Sequence, residues 1–286
     1  MGINLKKNRI SEPIVIGALG GSGTRVVTQI LIDSGIFMGD NLNNSNDNLI
    51  FTRLFKRPKW YLKTNDAEIK KHLMTFEKYM IGEKWNIKDI KIYLKALFVR
   101  DDFDIKNFND LTHIFLFLTR PKRNFNLWGW KEPNTHIFLK DLNQYFNNLK
   151  YIHVIRHGLD MAFSKNIQQL YNWGWIYGVK MPDNKKLIPQ AQLEYWIRAN
   201  RQALNIGRHL YRERFYLLKF EQLCKTPETE IKKLLNFMNI KVNNEVFKLL
   251  ISLPSLPSTV GRYKSRDLSI FTEEQLNEVI NFGYKI

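Results

Sequence analysis

Four short β-rich apolar runs punctuate the chain, at 13–17 (PIVIG), 113–118 (HIFLFL), 149–155 (LKYIHVI) and 214–220 (RFYLLKF). Between them the apolar positions change period. Val26, Val27, Ile30 and Leu31 follow the first run at helical spacing, and 193–213 (LEYWIRANRQALNIGRHLYRE) precedes the last. Apolar strands alternating with amphipathic helices predict an α/β fold of three layers, a parallel sheet with helices on both faces. Helix punctuation is clear towards the end. Thr226 caps a helix that has Pro227 in its first turn, Thr272 and Gln275 have capping-box spacing, and Gly283 suits a stop. No internal repeat is present.

Two stretches interrupt this alternation. Residues 41–111 begin with the asparagine-rich NLNNSNDN and continue as mostly helical text, and 169–189 are rich in aromatics, glycine and lysine. In an α/β protein, loops of this length serve either as substrate covers or as packing decorations. Tyr171, Trp173, Trp175 and Tyr177 alternate in the second stretch, a pattern that fits stacking on a ligand as well as filling a hydrophobic layer.

The first strand runs into GGSGTR, 20–25, and then into a helix. A glycine-rich strand–helix turn aims backbone N–H groups at an anion on the helix N-terminus. Gly20, Gly21 and Gly23 allow close approach, Ser22 and Thr24 add hydroxyls, and Arg25 adds a forked cation. An arginine in the first turn opposes the helix dipole, which favours an anion there over a purely structural turn. Nucleoside triphosphatases need Lys followed by Ser or Thr at the end of this loop. Thr24 and Arg25 occupy those places, so the usual magnesium ligand is missing. The 149–155 strand leads directly into RHGLDMAFSKN, which puts Arg156 where open α/β sheets bind ligands. Ser164, eight residues on, falls on the same helix face if the helix continues. Asp160 would either cap that helix or orient Arg156.

Charge supports an anionic partner. The 286 residues hold 44 Lys and Arg against 27 Asp and Glu, a formal charge of +17, spread rather than blocked. No recognition helix, RNA-binding sheet signature or finger spacing points to a specific nucleic acid. The single cysteine, Cys224, excludes an internal disulfide framework and a cysteine-rich zinc site, and the six histidines show no metal-ligand spacing. No run approaches the roughly 20 apolar residues that cross a bilayer, and the polar start lacks a signal-peptide core, so a cytoplasmic location is the expectation.

GGSGTR, WGWKEPNTHIFL (128–139) and VIRHGLDMAFSKN (154–166), in this order, resemble the sulfotransferase superfamily. So do LLKFEQLCKTPETEIKKLLNFMNI (217–240) and TVGRYKS (259–265). The resemblance implies a single domain over 1–286 with a sheet of about five strands, in which 41–111 is an insertion covering the acceptor cleft. It implies 3′-phosphoadenosine 5′-phosphosulfate (PAPS) as donor, adenosine 3′,5′-bisphosphate as product, and no metal. Gly21, Ser22, Gly23, Thr24 and Arg25 would hold the phosphosulfate. Arg156 and Ser164 would hold the 3′-phosphate, with Arg262 and Lys264 closing over it. Lys131 resembles the family lysine at the leaving group's bridging oxygen, and the GTR ending resembles the carbohydrate-modifying branch. Trp196 and Arg201 would border the adenine.

The family's cytosolic branch has a histidine two residues after the strand lysine, where this chain has Pro133. The general base is therefore open between Asp40, at a place where one branch has a carboxylate, and Glu132. The acceptor would be a small molecule or a glycan. A kinase with a deviant phosphate loop is the alternative, and the oligomeric state is left open.

Overall fold

The computed structural model describes residues 13–98 and 127–286. Within them four parallel strands, β1 (Ile14–Ala18), β2 (Gly129–Lys131), β3 (Lys150–Ile155) and β4 (Phe215–Lys219), form one sheet in the order β2-β1-β3-β4. The sheet has one strand fewer than the five expected, and the run at 113–118 lies outside the described residues. Ile14 is level with Gly129 on one side and Lys150 on the other, and Tyr151 is level with Phe215.

Side-chain alternation along these strands separates two cores. Ile14, Ile16 and Ala18 pack with Ile152, Val154 and Leu218 on one face. That face is covered by α1 (Thr24–Asp33), α11 (Pro227–Met238) and α12 (Asn244–Ser252) through Val27, Ile30, Ile231, Leu234 and Leu250. Val15, Tyr151 and Ile155 point the other way, into a larger core rich in aromatics. Gly17 has no side chain to offer there because the Tyr151 hydroxyl fills the place of a Cβ. β1 and β2 are buried throughout and β3 beyond Lys150, whereas β4 is buried only at Leu218 and half-buried elsewhere.

The 41–111 stretch builds much of the second core. Its helices α2 (Leu49–Phe55) and α4 (Asp66–Ile81) press aromatic side chains against Trp130 of β2, with α3 (Pro58–Tyr61) and α5 (Ile87–Phe98) packed against those helices. Phe51 lies 5.4 Å from Trp130, and Phe76 meets the same ring edge-on at 5.0 Å. Each such fully buried ring contributes roughly 1.5–3 kcal/mol. Helices α2, α4 and α5 are therefore part of the domain's core, whereas residues 43–45 of the loop before them are exposed. The remaining helices are α6 (Leu139–Tyr145), α7 (Gly158–Ala162), α8 (Gln168–Trp173), α9 (Ile188–Ile206), α10 (Phe220–Lys225) and α13 (Glu273–Asn281). The capping box at Thr272 and Gln275 is formed.

Candidate active site

The chain leaves β1 to build β2 on one side and β3 on the other, so the strand order switches beside β1. Ligands of open α/β sheets bind at such a switch, off the strands' C-terminal ends. The phosphate loop follows β1 there, and Arg156 follows β3. Gly21 and Gly23 take φ of 90° and 84°, a left-handed backbone natural to glycine. A Cβ on Gly23 would come closer than 3.0 Å to three carbons of the Phe220 ring. Gly23 begins α1 with no side chain capping the helix, which leaves its first N–H groups for a ligand. Ser22 and Thr24 are buried, whereas Arg25 stands exposed at the mouth.

Arg156 reaches across to this loop. Its Nη1 donates to the Gly21 carbonyl at 3.2 Å and its Nη2 to Thr259 Oγ1 at 2.8 Å. The guanidinium lies 5.6 Å from the Phe220 ring centre, and its buried Nε has no partner. Burial pulls its pKa below the usual arginine value, and the nearby Arg262 charge adds to that effect against the opposing Asp160. A buried guanidinium whose Nε has no partner among the described residues, with the Arg262 charge nearby, forms a site that fits an anion. Trp196 backs it by donating from Nε1 to the Arg156 carbonyl at 3.1 Å.

The other expected contacts are distributed differently. Asp160 accepts from the N–H groups of Gly261 and Tyr263, at 2.8 and 3.3 Å, and so pins the 259–263 loop over Arg156 instead of forming an ion pair with it. Helix α7 stops at Ala162, so Ser164 is not two turns along it; its Oγ accepts from the Asn166 N–H in the following turn. Arg262 Nε donates to the carbonyl of Thr259, the residue whose hydroxyl accepts from Arg156, at 3.1 Å, but Lys264 lines a neighbouring cavity of about 600 Å³ with His157 and Lys219. Arg201 forms an ion pair with Glu278 on α13. His157 is held by the Leu159 N–H and the Lys285 carbonyl. Burial pushes the Cys224 thiol up to about 11, which keeps it protonated.

Below the phosphate loop is a cleft of about 380 Å³, lined by Gly20, Gly21, Gly23, Thr24 and Arg25 on one side. Opposite them are Ser45, Asp47, Lys56, Lys131, Glu132 and a set of amide side chains. Lys131, at the end of β2, is 2% exposed. Its Nζ donates to the Ser45 carbonyl at 2.7 Å and to Asp47 Oδ1 at 2.5 Å.

Neither carboxylate expected as a base is free in this cleft. Asp40 is not among its lining residues, and its Oδ1 accepts from the Tyr79 hydroxyl at 2.6 Å. Glu132 is buried, with one oxygen taken by the Asn134 N–H at 2.7 Å and the other by Asn134 Nδ2 at 2.9 Å. Burial raises its pKa, with Lys56 opposing. Asp47 is the carboxylate that sequence reasoning missed. Its one signal was a lone acid in an asparagine-rich loop. His136 is buried with its Nδ1 at the Pro133 carbonyl, and burial lowers its pKa to about 4.

Amide side chains tie the cleft's walls together. Gln169 on α8 accepts from the Gly20 N–H at 2.5 Å and donates to Asn134 Oδ1 at 2.7 Å. Asn134 in turn holds Glu132, so one hydrogen-bonded chain runs from the phosphate loop to the buried carboxylate. Among the described residues no His, Cys, Asp and Glu group is arranged to hold a metal, and no helix is long and apolar enough to cross a membrane.

The sheet, the phosphate loop at its switch point and the arginine on the adjacent strand define an α/β transferase-type site. A family model described as "Sulfotransferase family" matches residues 13–244, and the chain belongs to that family. Two solved structures are similar in fold. The sulfotransferase domain of the Synechococcus PCC 7002 olefin synthase has a TM-score of 0.52 at 13% identity, covering 98% of each chain. The sulfotransferase domain of the curacin biosynthetic pathway has a TM-score of 0.50 at 14% identity, covering 96% of this chain and 99% of its own. No curated protein matches the sequence.

Proposed function

We propose that this sulfotransferase moves the sulfuryl group of PAPS to a hydroxyl of a saccharide or other small acceptor. The observation behind the choice of donor is the second cationic centre, Arg156 with Arg262, next to the phosphate loop. A nucleotide with a 3′-phosphate has a use for it that ADP or ATP does not. The GTR loop end is consistent with the carbohydrate-modifying branch.

When bound, the donor supplies an activated sulfuryl group. The first N–H groups of α1 and the Arg25 side chain hold its phosphosulfate end, while Arg156, Arg262 and Thr259 hold the 3′-phosphate. Lys131 is buried beside the phosphate loop and donates to the oxygen that leaves, where negative charge grows as the sulfur–oxygen bond breaks. Asp47 accepts the acceptor's hydroxyl proton as the new sulfur–oxygen bond forms. Asp47 takes this role over Asp40, which does not line the cleft, and over Glu132, which is buried. Its carboxylate lines the cleft and stays partly exposed, while Lys131 and Asn43 Nδ2 hold one oxygen each.

The test is calorimetric titration with adenosine 3′,5′-bisphosphate, ADP, and ADP plus magnesium. Tight, metal-independent binding of the bisphosphate is expected. Arg156→Ala should weaken it about ten- to hundredfold, since a charge-assisted hydrogen bond contributes about 1.5–3 kcal/mol. Equal binding of ADP, improved by magnesium, would favour the kinase instead.

A further inference from the structure

The asparagine-rich loop before α2 is folded around one side chain. Asn43 Oδ1 accepts from the N–H groups of Ser45 and Asp47, both at 2.9 Å, and Asn43 Nδ2 donates to Asp47 Oδ2 at 2.9 Å. The backbone closes the same turn. The Asn43 N–H donates to the Asp47 carbonyl at 3.1 Å, and the Asn43 carbonyl accepts from the Asn46 N–H at 2.8 Å. Asn46 takes a left-handed φ of 61°, which asparagine adopts more readily than most residues. Asparagine suits such a loop because its side chain bonds nearby backbone and replaces part of a regular ladder.

The loop is anchored to the strand that carries Lys131. Asn48 is fully buried; its N–H donates to the Lys131 carbonyl at 2.8 Å and its Nδ2 to the Met38 carbonyl at 3.2 Å. On the other side Asn46 Nδ2 donates to Gln29 Oε1 of α1 at 3.4 Å. Between these anchors, the turn around Asn43 presents two acceptors to Lys131 Nζ, the Ser45 carbonyl at 2.7 Å and Asp47 Oδ1 at 2.5 Å. An ammonium has three N–H donors. Among the described residues the third has no partner, and it is the one left for the leaving oxygen.

The turn by itself does not require an asparagine. Aspartate makes the same bonds from side chain to backbone, and at position 43 it would accept from the Ser45 and Asp47 N–H groups equally well. It could not donate to Asp47 Oδ2, and it would set a second negative charge against that carboxylate. The amide nitrogen of Asn43 is therefore the part that the fold of the loop can spare and the Asp47 carboxylate cannot. A carboxylate oxygen has two lone pairs. The Asn43 bond occupies one on Oδ2 and leaves the other, so Asp47 is held in place without being closed to a proton.

We infer that Asn43 is a positioning residue for sulfuryl transfer: it fixes the Asp47 carboxylate against Lys131, so that the proton acceptor and the donor to the leaving oxygen are set as one unit. This rests on the reading of Asp47 as proton acceptor and adds the residue that acts through it. Lys131 and Glu132 from β2 and the turn after it, Lys56 from the end of α2 and Arg25 from α1 carry the other charges around Asp47 in the cleft. Asn43→Asp leaves all four in place.

The experiment compares the full chain with Asn43→Asp and Asn43→Ala, using radiolabelled PAPS with water in the acceptor's place. The water oxygen bonds to sulfur, the bond from sulfur to the phosphate oxygen breaks, the water proton goes to Asp47, and sulfate and adenosine 3′,5′-bisphosphate are released. Sulfate release is followed from about pH 5 to 9, the range over which a carboxylate base gains its function. In Asn43→Asp two carboxylates share a proton, so the acidic limb of the profile should move up by about one pH unit or more and the rate should recover at alkaline pH. Tm and bisphosphate affinity should stay at the wild-type values, because the turn is kept. Asn43→Ala loses the turn's acceptor and the amide donor without adding charge, and should slow release about tenfold with a smaller movement of the limb. Carboxyl-carbon NMR, with Asp47→Asn identifying the signal, follows the Asp47 titration without turnover and should move with the limb in Asn43→Asp. An Asp47 titration that Asn43→Asp leaves unmoved, or a wild-type rate in Asn43→Ala, would overturn the inference. A titration that moves while the rate profile stays still would instead strike Asp47 as the proton acceptor.

Discussion

Replacing Gly23 with alanine tests how the glycine-rich loop and the start of α10 behind it are fitted together. Gly23 combines a left-handed φ of 84° with a Phe220 ring where a Cβ would stand. The backbone strain costs an L-residue about 1–2 kcal/mol, and forcing the ring aside costs about 1–3 kcal/mol more. The sum is roughly 2–5 kcal/mol, and at about 2–4 °C for each kcal/mol it should lower Tm by at least several degrees. The two parts separate in a double-mutant cycle. In a Phe220→Ala background the clash is gone and only the strain remains, so Gly23→Ala should then cost about 1–2 kcal/mol. Urea unfolding of the four proteins gives the coupling directly. Because the Phe220 ring also lies against the Arg156 guanidinium, Gly23→Ala should weaken bisphosphate binding as well. Additive destabilisation would refute the contact, and an unchanged Tm in the single variant would refute both the strain and the clash.

Other expectations follow from buried charge and from the loops around the site. His136 and His153 are fully buried, and burial lowers both to about 4, with His136 further disfavouring a charge on His153. The unfolded chain binds these protons near 6.5 and the folded one near 4, so stability is intact above pH 6.5 and lost as the pH falls towards 4. The loss is of order 3 kcal/mol per histidine; urea midpoints at pH 7, 5.5 and 4.5 should fall in step, and a flat series would contradict the burial. Asp160→Ala should release the N–H groups of Gly261 and Tyr263 and weaken bisphosphate binding about ten- to hundredfold, by about 1.5–3 kcal/mol; calorimetry showing wild-type affinity would deny the loop its role. Asp47→Asn should lower sulfuryl transfer about 100-fold or more with bisphosphate binding retained, and wild-type turnover would remove Asp47 from the mechanism.

The sequence disclosed the parts of this site that rest on local pattern. An apolar run before a glycine cluster puts the glycine-rich loop at the end of β1, and the arginine that ends the 149–155 run puts Arg156 at the end of its neighbour β3. Local pattern could not show which carboxylate faces the cleft. Asp40 is drawn off by Tyr79, 39 residues away, and Asp47 is brought in by Lys131, 84 residues away. Both outcomes depend on how α4 and β2 pack. Ser164 was misplaced for a local reason: the helix after Arg156 ends at Ala162, and a two-turn extrapolation runs past it. The 41–111 stretch reads as an addition to the sheet, yet in its described part Phe51 and Phe76 pack on Trp130 of β2. Tertiary burial decides that, and helical text alone does not distinguish a cover from a core layer.

The Gln169 bridge has a consequence for how such a protein can change over generations. One side chain on the acceptor side satisfies the Gly20 N–H and also orients Asn134, which in turn holds Glu132. A substitution that reshapes this lip to take a different acceptor therefore removes a support from the donor loop at the same time. Position 169 should drift only together with 134.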